Sequence, residues 1–357
     1  MDVDTAIIGG FLSGAVAGAG ARFGRLCSMS AIEDALVGHD YRGAKAWGLA
    51  VATAGLATTS ASALGWVDLS TSAMLASRVH LLGTLLGGIL FGLGMAQAGT
   101  CSFGLLVRAG AGDLRALVAA MIVGIFAFAA TAGLLAPIRD ALLGFGVVDL
   151  APVGGASLDR LLNQEVGPTA GWLVPTLLFL ILALSAFLDR RLRKRPRLLA
   201  GALLVGLAVA GGWIATTLAV ARLDASRVES LSFVAPSGRA LLQFMSAPFR
   251  DVGFSLAALV GVIAASFAVA ARRGELRWEA FDDPREMRRC LAGAALMGIG
   301  GVLAHGCTVG QGLTAASALA VTAPLFTLSV LIGAQAGLKM LIEGTALWRL
   351  GFSPRAE

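Results

Sequence analysis

The sequence predicts an all-α, polytopic integral membrane protein with about nine membrane-spanning helices, inverted-topology repeats and helices broken at two cysteine motifs. Two compositional facts and one internal repeat carry this prediction. Of 357 residues, 57% are hydrophobic and 14% charged, and the mean hydropathy is +0.81. A soluble globular chain holds about 25% charged residues. Forty-seven Gly beside a single Tyr favour close helix packing in lipid, because small residues let backbones approach where apolar side chains alone give little drive. The repeat is taken up below.

A spanning helix needs about 20 apolar residues. Charge-free runs of that order occupy 5–21, 46–66, 79–107, 116–138, 166–188, 198–221 and 252–271, and the run 290–338 is long enough for two spans and an uncharged connection. Asp2 and Asp4 precede the first run and basic residues follow it. That order is the reverse of a secretory signal peptide, so the run is expected to remain as a membrane helix. The third run carries Gly83-xxx-Gly87 and Gly88-xxx-Gly92, spacings that pack helices. After the fifth comes Arg190, Arg191, Arg193, Lys194, Arg195 and Arg197, a cytoplasmic anchor. In the last run Cys290 is a structural residue, and Pro324 marks a kink or the start of a helix. Lys339 and Glu343 read as interfacial. The chain divides into a first half, 1–138, with spans one to four; a linker, 139–197, with span five and the basic loop; and a second half, 198–357, with spans six to nine.

The net charge of +6 comes from 28 Lys and Arg, clustered in short loops between apolar runs. With the N-terminus outside and the C-terminus cytoplasmic, 21 of the 28 fall inside, as the positive-inside rule requires. The basic balance is therefore a topology signal, and no nucleic-acid partner is predicted. Cys27, Cys101, Cys290 and Cys307, with His39, His80 and His305, have no zinc or haem spacing. No metal, cofactor or disulfide framework is expected, and no nucleotide-binding loop stands out.

At a constant offset of 206, Gly92-Leu-Gly94-Met-Ala-Gln-Ala98-Gly-Thr-Cys101-Ser-Phe-Gly104 lies over Gly298-Ile-Gly300-Gly-Val-Leu-Ala304-His-Gly-Cys307-Thr-Val-Gly310. The copies fall in spans three and eight, and an odd separation makes them enter the membrane from opposite sides. Inverted repeats mark many secondary transporters. Residues 9–30 align only loosely with 211–234, and Cys27 has no cysteine counterpart there.

In each copy a Gly-rich helix is expected to stop, pass through Gly-Thr-Cys-Ser or His-Gly-Cys-Thr, and resume. Irregular backbone at membrane depth is tolerated only where it is buried in protein or lines a cavity. Thr100, Cys101, Ser102 and Gly104, and likewise Gly306, Cys307, Thr308 and Gly310, then lie where a helix begins, and its free N–H groups and dipole favour an anion. A thiol is a weak donor and a polarisable acceptor, suited to holding a soft anion loosely enough to release it. His305 adjoins the second motif and either contacts an anion or packs; its counterpart is Gly99. Arg22 and Arg25 either complement an anion's charge or serve the positive-inside bias.

Gly306-Cys307-Thr308-Val309-Gly310-Gln311-Gly312, with Gly99-Thr100-Cys101-Ser102-Phe103-Gly104 and Arg22-Phe-Gly-Arg25-Leu-Cys27, resembles the YeeE/YedE family of sulfur transporters over nearly the whole chain. The resemblance implies a bacterial inner-membrane protein, not an enzyme, that imports thiosulfate or a related sulfur anion. It implies a relay of Cys27, Cys101 and Cys307, with Thr100, Ser102, Gly104, His305, Gly306, Thr308, Gly310 and Gln311 contacting the substrate. A cytoplasmic sulfur carrier or rhodanese-like protein is the implied partner besides the lipid bilayer. The competing readings are a membrane sulfurtransferase that carries sulfur as a cysteine persulfide, and a carrier of selenium, other sulfur compounds or an unrelated anion.

Overall fold

The computed structural model describes residues 3–69, 71–150, 155–160, 170–223, 228–246 and 253–343. Helices α1 (Val3–Gly24), α2 (Ser28–Leu36), α3 (Arg42–Ala63), α4 (Leu81–Ala98), α5 (Ser102–Gly110), α6 (Leu114–Ala132) and α7 (Ala136–Gly144) come first. They are followed by α8 (Ala170–Leu188), α9 (Pro196–Leu223), α10 (Val234–Ser246), α11 (Phe254–Arg272), α12 (Pro284–Leu303) and α13 (Thr322–Ile342). A short antiparallel pair, β1 (Arg78–His80) with β2 (Val147–Asp149), ties the start of α4 to the segment after α7.

Among the described residues, six helical stretches are long and apolar enough to cross a membrane: Thr5–Leu36, Leu81–Gly110, Leu114–Ala132, Pro196–Val220, Phe254–Arg272 and Thr322–Ile342. Three further helices, α3, α8 and α12, fill the remaining apolar runs of the sequence. Thr53, Thr58, Thr59, Ser60 and Ser62 dilute α3, whereas α12 opens with Arg285, Glu286, Arg288 and Arg289. α8, in contrast, is predominantly apolar along all 19 of its residues. Leu117, Met121 and Ile125 on α6, Leu177, Ile181 and Leu184 on α8, and Leu328 and Ile332 on α13 are exposed, as expected of faces that meet lipid. The protein is a multi-pass membrane protein.

Eight of the long helices form two groups of four, and α8 packs on the outside of α3. In the first, α1 packs on α9 and α11, and α3 on α9; in the second, α4 packs on α12 and α13, and α6 on α12. Each group takes two helices from either side of residue 150. The short pieces fill the seam: α5 touches both α6 and α11, and a π-helix, Gly310–Ala315, touches both α13 and α3. The seam is where both cysteine motifs fall.

Within a group the helices meet backbone to backbone. A Cβ built on Gly94 would lie 2.5 Å from the carbonyl oxygen of Gly293, and one on Gly87 would lie 2.6 Å from that of Gly300. Residues 87 and 293, like 94 and 300, are separated by the repeat offset of 206. The α4–α12 pair therefore makes one contact twice, in opposite directions. Lipid supplies no hydrophobic drive for helix association, so such van der Waals approach holds the group together. Gly94→Val is expected to force the helices apart and lower stability by about 1–3 kcal/mol, read as an earlier thermal transition in detergent. Gly48→Ala, where an added Cβ meets nothing within 4 Å, is the control and should leave the transition unmoved or raise it.

Candidate substrate path

The two breaks are built alike. α4 ends at Ala98, and Gly99 takes a left-handed conformation (φ 73°) that suits glycine. The chain then turns through Thr100, and Cys101 caps α5, its Sγ accepting the Gly104 N–H at 3.4 Å. α12 ends at Leu303, and His305 takes the left-handed turn (φ 56°). After it, the Cys307 Sγ accepts the Gly310 N–H at 3.3 Å. What resumes is the π-helix, with Thr314 N–H donating to the Val309 carbonyl at 2.8 Å. A π-helical turn is uncommon and collects at functional sites.

A third cysteine joins them. Cys27 caps α2 without a side-chain cap bond, and its Sγ lies 3.6 Å from the Thr100 hydroxyl, beside Cys101. Cys101 and Cys307 are buried, Cys27 half-buried, and all are free thiols.

Each of these thiols is followed by a hydroxyl residue: Ser28, Ser102 and Thr308. All three are buried, with 7%, 3% and 8% of their surface exposed, and among the described residues none of their oxygens reaches the geometry of a full hydrogen bond. The hydroxyls of Ser28 and Thr308 both lie against the Cys101 thiol as weak hydrogen-bonding neighbours, and only Ser102 lacks such a contact. A buried hydroxyl left unpaired costs about 1–3 kcal/mol. Three hydroxyls in one seam, each next to a thiol and none fully paired, leave donors that a hydrogen-bond acceptor could take up.

Other residues expected at the site hold it in shape. The amide of Gln311 is engaged at both ends, donating to the Ala304 carbonyl at 2.9 Å and accepting from the Thr322 hydroxyl at 3.1 Å. Gly104 and Gly310 lie against Thr100 and the Ser232 hydroxyl, and Gly306 against Gln311, so a Cβ at any of them would displace those groups. His305 lies away from Cys101. Its exposed ring stacks on His80 (centroids 5.7 Å apart, planes 8°), at the start of α4. The 18 residues of α4 span about 27 Å, so the histidine pair marks one end of the seam and Gly99 the other.

At the Gly99 end a cavity of about 620 Å³ reaches Cys27 and Thr100, with Arg22, Arg25, Arg108 and Glu275 in its wall. Asp113 also lines it. Burial pushes the Asp113 carboxyl up, but the Arg108 guanidinium, the Ala116 N–H and Arg115 outweigh this and hold it below the usual carboxylate range.

A family model described as sulphur transport matches residues 23–336, a stretch that includes all three thiols and the long helices from α3 to most of α13. The chain belongs to the sulphur transport family. Two curated relatives, both called thiosulfate transporter TsuA, run nearly end to end with it. The protein from Spirochaeta thermophila is 29% identical over 340 residues, covering 92% of this chain and 96% of its own. The one from Escherichia coli K12 is 24% identical over 332 residues, covering 86% of each.

Two parts of this sulphur transport protein's seam escaped the reading of its sequence. Ser28 was not among the expected contacts, although the Cys-Ser or Cys-Thr pair occurs at 27, 101 and 307 and is absent at Cys290, which precedes Leu291. That dipeptide was the available signal. The second part is the bracing of the π-helix, in which the buried Trp213 indole donates to Ser317 at 3.1 Å and Thr314 to the Leu231 carbonyl at 2.7 Å. No local pattern foretells it. The loose alignment of 9–30 with 211–234 sets Leu231-Ser232 against Cys27-Ser28, and Ser232 lies against Gly310, so a leucine stands where a fourth thiol would.

Proposed function

We propose that the protein imports thiosulfate across the bacterial inner membrane along the seam, with its N-terminus outside and its C-terminus cytoplasmic. On this reading the halves 1–138 and 198–357 are inverted repeats around a linker, and the chain crosses nine times. The order of stations is Cys307, Cys101, Cys27: Thr308 links the first to the second, and Thr100 the second to the third. A cytoplasmic sulfur carrier takes up the product.

The observation that carries this reading is the pairing of each thiol with a buried hydroxyl that makes no full hydrogen bond. Thiosulfate has one soft sulfur end and three oxygens. At each station a thiol meets the sulfur and a hydroxyl donates to an oxygen, while helix-start N–H groups offset part of the charge. Thiol contacts are weak, so no station holds the anion too firmly to pass it on. The names of both relatives support thiosulfate as substrate, and the doubled α4–α12 contact supports the repeat.

The test is uptake of labelled thiosulfate into proteoliposomes holding the purified wild type, with intact mass measured after turnover. Saturable uptake with unchanged mass is expected. A stable gain of about 32 Da, one sulfur atom, would instead assign a persulfide and a sulfurtransferase.

A further inference from the structure

We propose that Arg22 is an anion-binding residue at the mouth beyond Cys27, with Glu275 as the resident counter-ion that a passing anion displaces. This rests on the transport reading and adds to the path a station built on charge, where the others are built on thiols.

Arg22 sits in the last turn of α1 and lines the same cavity as Cys27 and Thr100. Its Nη2 donates to Glu275 Oε2 at 2.9 Å, while its Nε is buried and has no partner. Nε and Nη2 form one edge of the guanidinium, the edge that takes two oxygens of a carboxylate or tetrahedral oxyanion side by side. Glu275 fills half of that edge. A buried charged donor left open is costly, and an oxyanion arriving from Cys27 would satisfy it.

Glu275 is also shared. Its Oε1 lies 3.5 Å from Arg25 Nη2, so one carboxylate serves two guanidinium groups and the mouth keeps an unmatched positive charge. The segment carrying Glu275 is held independently of that carboxylate. Arg273 stacks on the Phe23 ring at 4.5 Å, and the backbone of Arg277 and Glu279 bonds to Ala111 and Gly112. Glu275 can therefore swing off Arg22 without releasing the loop, and its return expels the anion. Without the carboxylate an anion would bind well and leave slowly.

The test compares wild type, Arg22→Gln, Arg22→Lys and Glu275→Gln by thiosulfate uptake into proteoliposomes and by equilibrium dialysis of labelled thiosulfate against solubilised protein. Glu275→Gln is expected to lower KM and maximal rate together, about fivefold, because release becomes the slow step, and to lower Kd alongside. Arg22→Gln should cut uptake about tenfold, equivalent to about 1.4 kcal/mol, and raise Kd; Arg22→Lys, which keeps the charge, should recover most of both. Glu275→Gln with a lowered rate but unchanged KM and Kd is what lost protein or a merely structural ion pair gives, and overturns the proposal. Wild-type kinetics in Arg22→Gln does the same. If the wild type shows no saturable uptake, the transport reading alone falls, since the Kd comparison is made without transport.

Discussion

Cys101→Ala and Cys307→Ala should each lower the initial rate of thiosulfate uptake about tenfold or more, the effect of deleting a contact worth about 1.4 kcal/mol. Both thiols are buried, and each already accepts one backbone N–H, from Gly104 and Gly310. That bond fixes the direction of the sulfur. Alanine removes the sulfur but leaves the helix start in place, so folded yield should change little. Cys290→Ala is the internal control: Cys290 lies within α12, away from the break, and its loss should leave uptake unchanged. Uptake normalised to folded protein, measured for all three variants in one vesicle preparation, checks the expectation.

Thr308→Val should separate stability from function. The Thr308 oxygen is buried and makes no full hydrogen bond, only a weak contact with the Cys101 thiol, so a branched side chain of the same outline gives up little and relieves a poorly paired polar group. Stability should hold or rise by about 1 kcal/mol, whereas uptake should fall several-fold because the oxygen end of the anion loses its donor. Ser102→Ala should behave likewise. The readouts are the thermal transition in detergent and the uptake rate. A variant that unfolds earlier and transports normally would return the hydroxyl to a structural role.

Much of the architecture was legible because lipid enforces a simple rule: runs without charge must be helical. The runs 5–21, 198–221 and 252–271 thus become α1, α9 and α11 within a few residues. The breaks were legible from Gly99 and from the second copy of the motif around Cys307. What the sequence concealed depends on partners distant in the chain. Ser28 faces Cys101 only because α2 returns to the α4–α5 turn, and Glu275 reaches Arg22 across 253 residues. The six-residue π-helix is set by Trp213, Ser317 and Leu231 meeting in the seam, and composition is silent on such meetings. Gln311 was expected from motif position alone, and nothing in the motif foretells that Ala304 and Thr322 hold its amide at both ends.

The most direct test of thiols as the sulfur-recognising element is competition by sulfate, which replaces the sulfur end of thiosulfate with oxygen. Uptake of labelled thiosulfate would be measured against rising sulfate for the wild type and for Cys101→Ser/Cys307→Ser. Wild-type uptake should resist a large excess of sulfate, and the double variant should lose that preference together with most of its rate. The same rate and the same sulfate profile in both proteins would contradict a path that recognises its substrate through these thiols.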